Sequence, residues 1–325
     1  MAELSRRRLF GGLAAATAFT WSGLAPGLRA RTADAAIYGR IWDGDQAGNG
    51  VAAIAMDEAG NPSRGFVRVD EGAIVDPDHR LFPEVVIPDG KRATYDLCAR
   101  LLDQYRLDQT RPEPRLLERK RRMIDLLDAV LDLPPMALAR EEVGRLRGRA
   151  LSDEAWGQLI FELWFRMYDD GRNLDLSGFE HIVVGEQHRG TVGGYHFWYK
   201  YWLDDHPERL GGDRIEWHGT RYDGREGQVG RLTPQGWQVP EVVTLAFRWH
   251  AEDGDAPQPR PLFKPIGGFW VGCSIEGLMA LGTVRFFQQG RIEAVLNGAR
   301  YEVEVHRSPD GQSLRTVFPR FLGLA

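Results

Sequence analysis

The sequence predicts an α+β fold: a helical N-terminal lobe followed by β-rich, antiparallel-sheet lobes. Two observations carry this prediction. Between residues 93 and 169, apolar side chains recur with the helical period of 3.6. From residue 178 onward, short β-prone runs alternate with turn dipeptides. With 325 residues, 43% of them apolar and 27% charged, the chain can bury one large core or two lobes. Ten tryptophans and fifteen phenylalanines supply the bulk for it.

In the helical part, Leu97, Leu101, Leu102 and Tyr105 form one stripe. Leu116, Met123, Leu126, Leu127, Val130 and Leu131 form a second. Residues 154–168 read as a third helix, dense in Trp156, Phe161, Trp164 and Phe165, with Asp153 and Glu154 favouring its positive end. Pro134-Pro135 stops the second helix. The charge run 118–122 reads as a solvated helix face. In the β part, strands are expected at 182–184, 194–203, 214–222, 242–249, 267–271, 294–296, 301–305 and 314–318. Asp223-Gly224, Asn297-Gly298 and Asp310-Gly311 punctuate them, and the Asn-Gly pair predicts a tight hairpin between 292 and 306. One helix interrupts, about 274–288, with Ser274 as N-cap and Glu276 in its first turn.

Residues 1–35 are written differently. Paired arginines in Ser5-Arg6-Arg7-Arg8-Leu9-Phe10, a Gly/Ala-rich apolar run and the small-x-small pattern Ala33-Asp34-Ala35 predict a twin-arginine-type signal peptide. The protein is therefore expected to be exported, periplasmic or secreted. No stable membrane association is expected after processing, since no other stretch reaches 18 uninterrupted apolar residues. Residues 36–92 read as an N-terminal extension of unknown role, with short strands near 51–56 and 65–69 and an extended linker marked by Pro77, Pro83 and Pro88.

A net charge of −5 speaks against a protein that coats long nucleic acids, but leaves room for a local cationic pocket. Cys98 and Cys273 lie far apart outside any Cys/His cluster, so they read as two buried thiols rather than zinc ligands.

Two histidines stand out. His181 lies in Ser177-Gly-Phe-Glu-His-Ile-Val-Val-Gly-Glu186, and His196 in Gly193-Gly-Tyr-His-Phe-Trp198. The turn signal His188-Arg189-Gly190 between them predicts a hairpin that holds both imidazoles near one surface. Two imidazoles suit a reaction in which one proton is removed and another delivered near neutral pH. Lys264, in Pro261-Leu-Phe-Lys-Pro-Ile-Gly-Gly-Phe-Trp-Val-Gly-Cys-Ser274, could meet a phosphate that gains charge. By residue type alone, Glu180, His181, Glu186, His188 and His196 could also serve a metallohydrolase, although no H-E-x-x-H spacing supports it.

These segments together resemble the EndoU (XendoU, poly(U)-specific endoribonuclease) family. The two histidine segments resemble its signature. Lys264 to Ser274, with Met279-Ala-Leu281 beyond, resembles its lysine motif, and Arg315-Thr-Val-Phe-Pro319 its C-terminal motif. The resemblance covers roughly residues 93–322. It implies an endoribonuclease domain over 93–325, with a helical lobe at 93–169, a β-rich catalytic part at 170–325 and the site in a cleft. It implies cleavage of single-stranded RNA, at U, by attack of the 2′-hydroxyl on the adjacent phosphate. The products would be a 2′,3′-cyclic phosphate and a 5′-hydroxyl.

By this resemblance His196 acts as base, His181 as acid and Lys264 as the cation that meets the phosphate. Glu180 and Glu186 are supporting carboxylates. Thr316 holds the nucleotide, and Phe318 offers a ring to a base. No cofactor is needed for the chemistry, manganese is an option, and no protein partner is legible. The family often has Gly-Phe-His-Asn-Trp where this chain has Gly194-Tyr-His-Phe-Trp198, and a Tyr where it has Phe318. Those departures motivate an alternative reading, an RNA-binding module that keeps the fold and has lost activity.

Overall fold

The computed structural model describes residues 33–47, 50–70, 75–76, 78–107, 116–170, 175–206, 214–220, 231–232, 238–239, 242–250, 261–296 and 299–324. The paired arginines and apolar run of the predicted signal lie outside these residues, as does the Asn297-Gly298 turn.

Helix α1 (Ala33–Gln46) opens the described chain. Strands β1 (Val51–Ile54), β2 (Gly65–Arg68) and β3 (Glu84–Val86) form a three-stranded sheet in which β1 and β2 are parallel. Pro83 and Pro88 of the expected linker therefore flank a paired strand, while Pro77 lies outside the described residues. Pro88 caps α2 (Asp89–Leu102), and α3 (Leu116–Val130) follows. Both bury the predicted stripes, with Leu101, Leu126, Leu127 and Val130 fully enclosed. The charged run of α3 is partly solvated, but Arg119 turns inward over the Tyr105 ring, 5.3 Å from its centroid.

Pro134-Pro135 ends α3 and also begins a helix that the periodicity did not reveal, α4 (Pro134–Leu146). Proline is tolerated there because the first helical N–H groups have no partner in any case. Helix α5 (Asp153–Trp164) has Asp153 and Glu154 in its first turn as expected, starts on a Ser152 cap that the sequence reading did not include, and stops four residues short of the expected end.

Two expected strands are helical. Residues 182–184 lie in a π-helical turn (Glu180–Val184), closed by Gly185 N–H on the Glu180 carbonyl at 2.9 Å. Of residues 194–203, 198–203 lie in helix α6 (Trp198–Asp204). Both runs are β-branched or aromatic and read locally as strand. Each is buried on every side, and tertiary packing overrides the local preference.

The hairpin at His188-Arg189-Gly190 is present: β4 (Glu186–His188) pairs with β5 (Thr191–Gly193). Arg189 and Gly190 both have positive φ, 47° and 86°, as a two-residue type I′ turn needs. Strands β6 (Ile215–Thr220), β9 (Val242–Trp249) and β10 (Leu262–Trp270) extend it into a sheet of order β4-β5-β10-β9-β6. Strands β7 (Arg231–Leu232) and β8 (Gln238–Val239) pair separately. Helix α7 (Ile275–Phe287) is enclosed along nearly its whole length and packs on α1, α2 and α4. The last sheet is β11 (Glu293–Leu296), β12 (Ala299–Arg307) and β13 (Leu314–Leu324), with Leu296 opposite Ala299 as the predicted hairpin requires.

Buried charge fixes α1 to the start of α7. The Ser274 hydroxyl caps Gly277 N–H at 3.0 Å and bonds Asp45 of α1. Asp45 also accepts from Ser274 N–H at 2.9 Å and pairs with Lys91 of α2. Cys98 and Cys273 are free and buried beside this cluster, and burial pushes both thiols up. Among the described residues no helix is long and apolar enough to cross a membrane.

Replacing Ser274 with Ala removes an N-cap and a partner of a buried carboxylate. The expected cost is about 2 kcal/mol of stability, read from the shift of the urea unfolding midpoint at unchanged slope.

Candidate active site

The two histidines flank the β4–β5 hairpin rather than sitting within it. His181 is on the π turn before it, and His196 follows it in extended chain. Backbone bonds join the two segments directly. Tyr195 N–H donates to the His181 carbonyl at 2.9 Å, and His196 N–H to the Ile182 carbonyl at 2.6 Å. This approach needs Gly194. Its φ is +62°, and a side chain there would overlap the His181 carbonyl.

Each imidazole is oriented through Nδ1. His181 Nδ1–H donates to Glu186 Oε2 at 2.8 Å. Glu186 is almost fully buried and is gripped from the other side by Arg315, with Nη2 at 2.8 Å from Oε2 and Nη1 at 3.2 Å from Oε1. His196 Nδ1–H donates to the Gly268 carbonyl on β10 at 2.9 Å. These bonds fix both tautomers and leave Nε2 of each ring as the nitrogen for substrate protons.

Lys264 enters from β10 beneath the hairpin, and its ammonium donates to the Val192 carbonyl at 3.3 Å. The ladder between β10 and β9 slips between Lys264 and Gly267. Gly267 leaves room for the lysine to fold back, since a side chain there would collide with the Lys264 methylenes. Burial holds Lys264 down to about 8.

Burial also lowers both imidazoles, but unequally. His196 is pushed well below its ordinary value by desolvation, then by Lys264 and His181. Desolvation likewise lowers His181, but Glu186 works against that shift by charge and hydrogen bond. The two rings therefore differ in their readiness to hold a proton.

From β13, Phe318 stacks on His196 with centroids 4.8 Å apart and planes at 22°. Thr316, two residues earlier on the strand, is buried and its hydroxyl has no partner among the described residues. The structure thus brings His181, His196, Lys264, Glu186 and Phe318 together. Glu180 is buried on the same π turn, next in sequence to His181. Phe197 packs inward, edge-on to Tyr199 at 6.1 Å. Arg315 also belongs to this site, and the family resemblance assigns it no role. Its position inside the C-terminal motif was the available signal.

Both oxygens of Glu186 are engaged by His181 and Arg315. Among the described residues no group of three or more His, Cys, Asp or Glu is placed to hold a metal ion.

The family model for "Endoribonuclease XendoU" matches residues 37–319. The chain belongs to the XendoU endoribonuclease family. The match also takes in residues 37–92, which the sequence resemblance does not cover. A Poly(U)-specific endoribonuclease of Xenopus tropicalis is 25% identical over 295 residues, 88% of this chain and 92% of that protein. Uridylate-specific endoribonuclease C of Danio rerio is 28% identical over 268 residues, 78% of each chain. One solved structure, "The structure of XendoU: a splicing independent snoRNA processing endoribonuclease", superposes with a TM-score of 0.65 at 24% identity. It covers 89% of this chain and 96% of that one. At that identity the likeness speaks for the α+β fold.

Replacing Glu186 with Gln removes the group that holds the His181 proton against burial. The His181 titration, followed by NMR of its ring carbons, is expected to move to lower pH. Movement to higher pH, or none, would contradict the placement of Glu186.

Proposed function

We infer that this XendoU-family enzyme cuts single-stranded RNA by transesterification, with His196 as base, His181 as acid and Lys264 as phosphate cation. The observation that carries this reading is the unequal setting of the two anchored imidazoles. His196, among a cation and an apolar ring, is held neutral and ready to accept a proton. His181, backed by the carboxylate of Glu186, is the better holder of a proton, and a bound phosphate would strengthen that hold.

In the step, His196 Nε2 takes the proton of the 2′-hydroxyl. The 2′-oxygen bonds to phosphorus, the bond from phosphorus to the 5′-oxygen breaks, and that oxygen takes the proton of His181 Nε2. The products are a 2′,3′-cyclic phosphate and a 5′-hydroxyl. Lys264 meets the charge that develops on the non-bridging oxygens, in a buried site where one ammonium counts for more than in water. Thr316 would bond the nucleotide with its unpartnered hydroxyl. Phe318 would present a ring edge or its second face to a base. Uridine preference rests on the names of the relatives, and Phe197 and Phe318 are the departures that bear on it. No step of this reaction runs through a metal ion.

Export is part of the same proposal, supported by the paired arginines, the apolar run and Ala33-Asp34-Ala35. The Ala33-Asp34-Ala35 pattern coincides with the first turn of α1, so processing there would leave the buried Ile37, Tyr38, Ile41 and Trp42 in place.

The protein, beginning at Ala36, should cut a short U-containing RNA with or without EDTA, leaving a cyclic-phosphate end by mass spectrometry. The same strand with one 2′-deoxy sugar should stay intact at that position. His181→Ala and His196→Ala should each lower the rate by about 10²–10⁴-fold. Equal cleavage of the deoxy-substituted strand would overturn the mechanism. RNA binding without any turnover would favour the inactive-module reading.

The same assignment sets a pH limit. Lys264 is charged below about 8 and loses its charge as pH rises through that value. Measured as kcat/KM against pH, the alkaline decline that loss of the His181 proton begins should steepen above about pH 8, where Lys264 also loses its charge. Lys264→Arg should move that limb upward, because a guanidinium stays charged there.

A further inference from the structure

The residue before His196 is held in a backbone conformation that its side chain disfavours. Tyr195 has φ 65°, directly after Gly194 at 62°. Glycine adopts the left-handed region freely, whereas a tyrosine must be held there by its surroundings. Its ring is fully buried, 5.2 Å from the Phe247 ring. Its hydroxyl donates to Asp204 Oδ2 at 2.6 Å.

Asp204 ends helix α6 and is itself 2% exposed. The same Oδ2 accepts from Trp249 Nε1 at 3.1 Å and pairs with the Lys200 ammonium one helical turn back. That ammonium lies 5.3 Å from the Tyr195 ring centroid. Burial pushes the Tyr195 phenol well up, so it stays a donor at any working pH. A buried carboxylate is tolerated only when its lone pairs are satisfied, and here three donors meet on one oxygen. None of these groups belongs to the proton-transfer set.

We propose that Asp204 is a positioning residue for the cleavage reaction: through the Tyr195 hydroxyl it locks the left-handed turn that sets His196 against His181. The geometry supplies the lever. Tyr195 N–H bonds the His181 carbonyl while Tyr195 Oη bonds Asp204, so one residue ties the backbone of one histidine to an anchor on α6. His196 follows immediately, with its own N–H on the Ile182 carbonyl. Loss of the phenol–carboxylate bond frees Tyr195 to relax towards ordinary backbone. That would carry His196 away from the Gly268 carbonyl and towards water.

The test is Tyr195→Phe, which keeps the buried ring and removes only the hydroxyl. Asp204→Asn/Lys200→Met is the second variant; it removes the buried charge pair together, so that no unpaired ion remains. The groups facing His196 are Lys264 and the Gly268 carbonyl on β10, His181 on the π turn and the Phe318 ring on β13. Burial, Lys264 and His181 lower His196 and the Gly268 carbonyl raises it; burial is the largest of these influences, so admitting water raises its titration point towards the ordinary imidazole value.

The expected result is an upward shift of the His196 ring titration by NMR in Tyr195→Phe. In activity, kcat should fall about tenfold with KM within twofold, and the acidic limb of kcat/KM should move to higher pH. A lower melting temperature with the His196 titration and kcat unchanged in both variants would overturn the proposal and leave the network a structural one. The proposal rests on the transesterification reading for its activity arm only. A wild-type protein that cuts no RNA would sink that reading, while the His196 titration would still decide the role of Asp204.

Discussion

The site depends on two backbone hydrogen bonds, from Tyr195 N–H to the His181 carbonyl and from His196 N–H to the Ile182 carbonyl. They make the separation of the two imidazoles a property of main chain rather than of flexible side chains. Several unusual local features become intelligible as conditions for that contact. In the π turn, Glu180–Val184, the helical ladder closes five residues on, and the His181 and Ile182 carbonyls are taken by the second histidine segment. Gly194 has no side chain because the His181 carbonyl occupies that space. The β4–β5 hairpin, turning on Arg189 and Gly190, brings the chain back over the shortest path.

Burial then supplies the chemistry. Desolvation alone would leave both rings neutral and bring the lysine down to about 8, which in the proposed reaction suits the base and the phosphate cation but not the acid. Glu186, held by Arg315, breaks the symmetry for His181, while the Gly268 carbonyl gives His196 orientation without countercharge. Lys264 keeps a titration point near 8, high enough to stay charged at neutral pH. In the proposed reaction two identical side chains take different tasks because one faces a carboxylate and the other faces a cation and a ring.

Much of this was legible in the sequence, for physical reasons. The chemistry restricts residue types severely, so His181, His196 and Lys264 stood out by type and setting. Helix periodicity and strand alternation gave α2, α3, α5, α7 and most of the late strands. Two of the failures share a cause. Ile182-Val-Val184 and the aromatic run at 198–203 have the local character of strands, and only enclosure on every side makes them helical. Asp204 was hidden by that misreading, since an Asp at a strand end is a solvated residue while at the end of α6 it is a buried anchor. Pro134-Pro135 looked like a stop because proline breaks a helix interior; it also starts one. Arg315 is marked in the sequence only by its place in the C-terminal motif, because its role exists across 129 residues of sequence, in its bond to Glu186.

The division of labour between the histidines is the central claim, and a substrate with a modified leaving group tests it most directly. An RNA in which sulfur replaces the bridging 5′-oxygen at the cut site leaves without needing a proton. Cleavage of this substrate by His181→Ala should approach the wild-type rate, while His196→Ala should remain inactive, since the 2′-hydroxyl still needs its base. Rescue of His196→Ala instead would reverse the roles, and rescue of neither would contradict the two-proton account of the site.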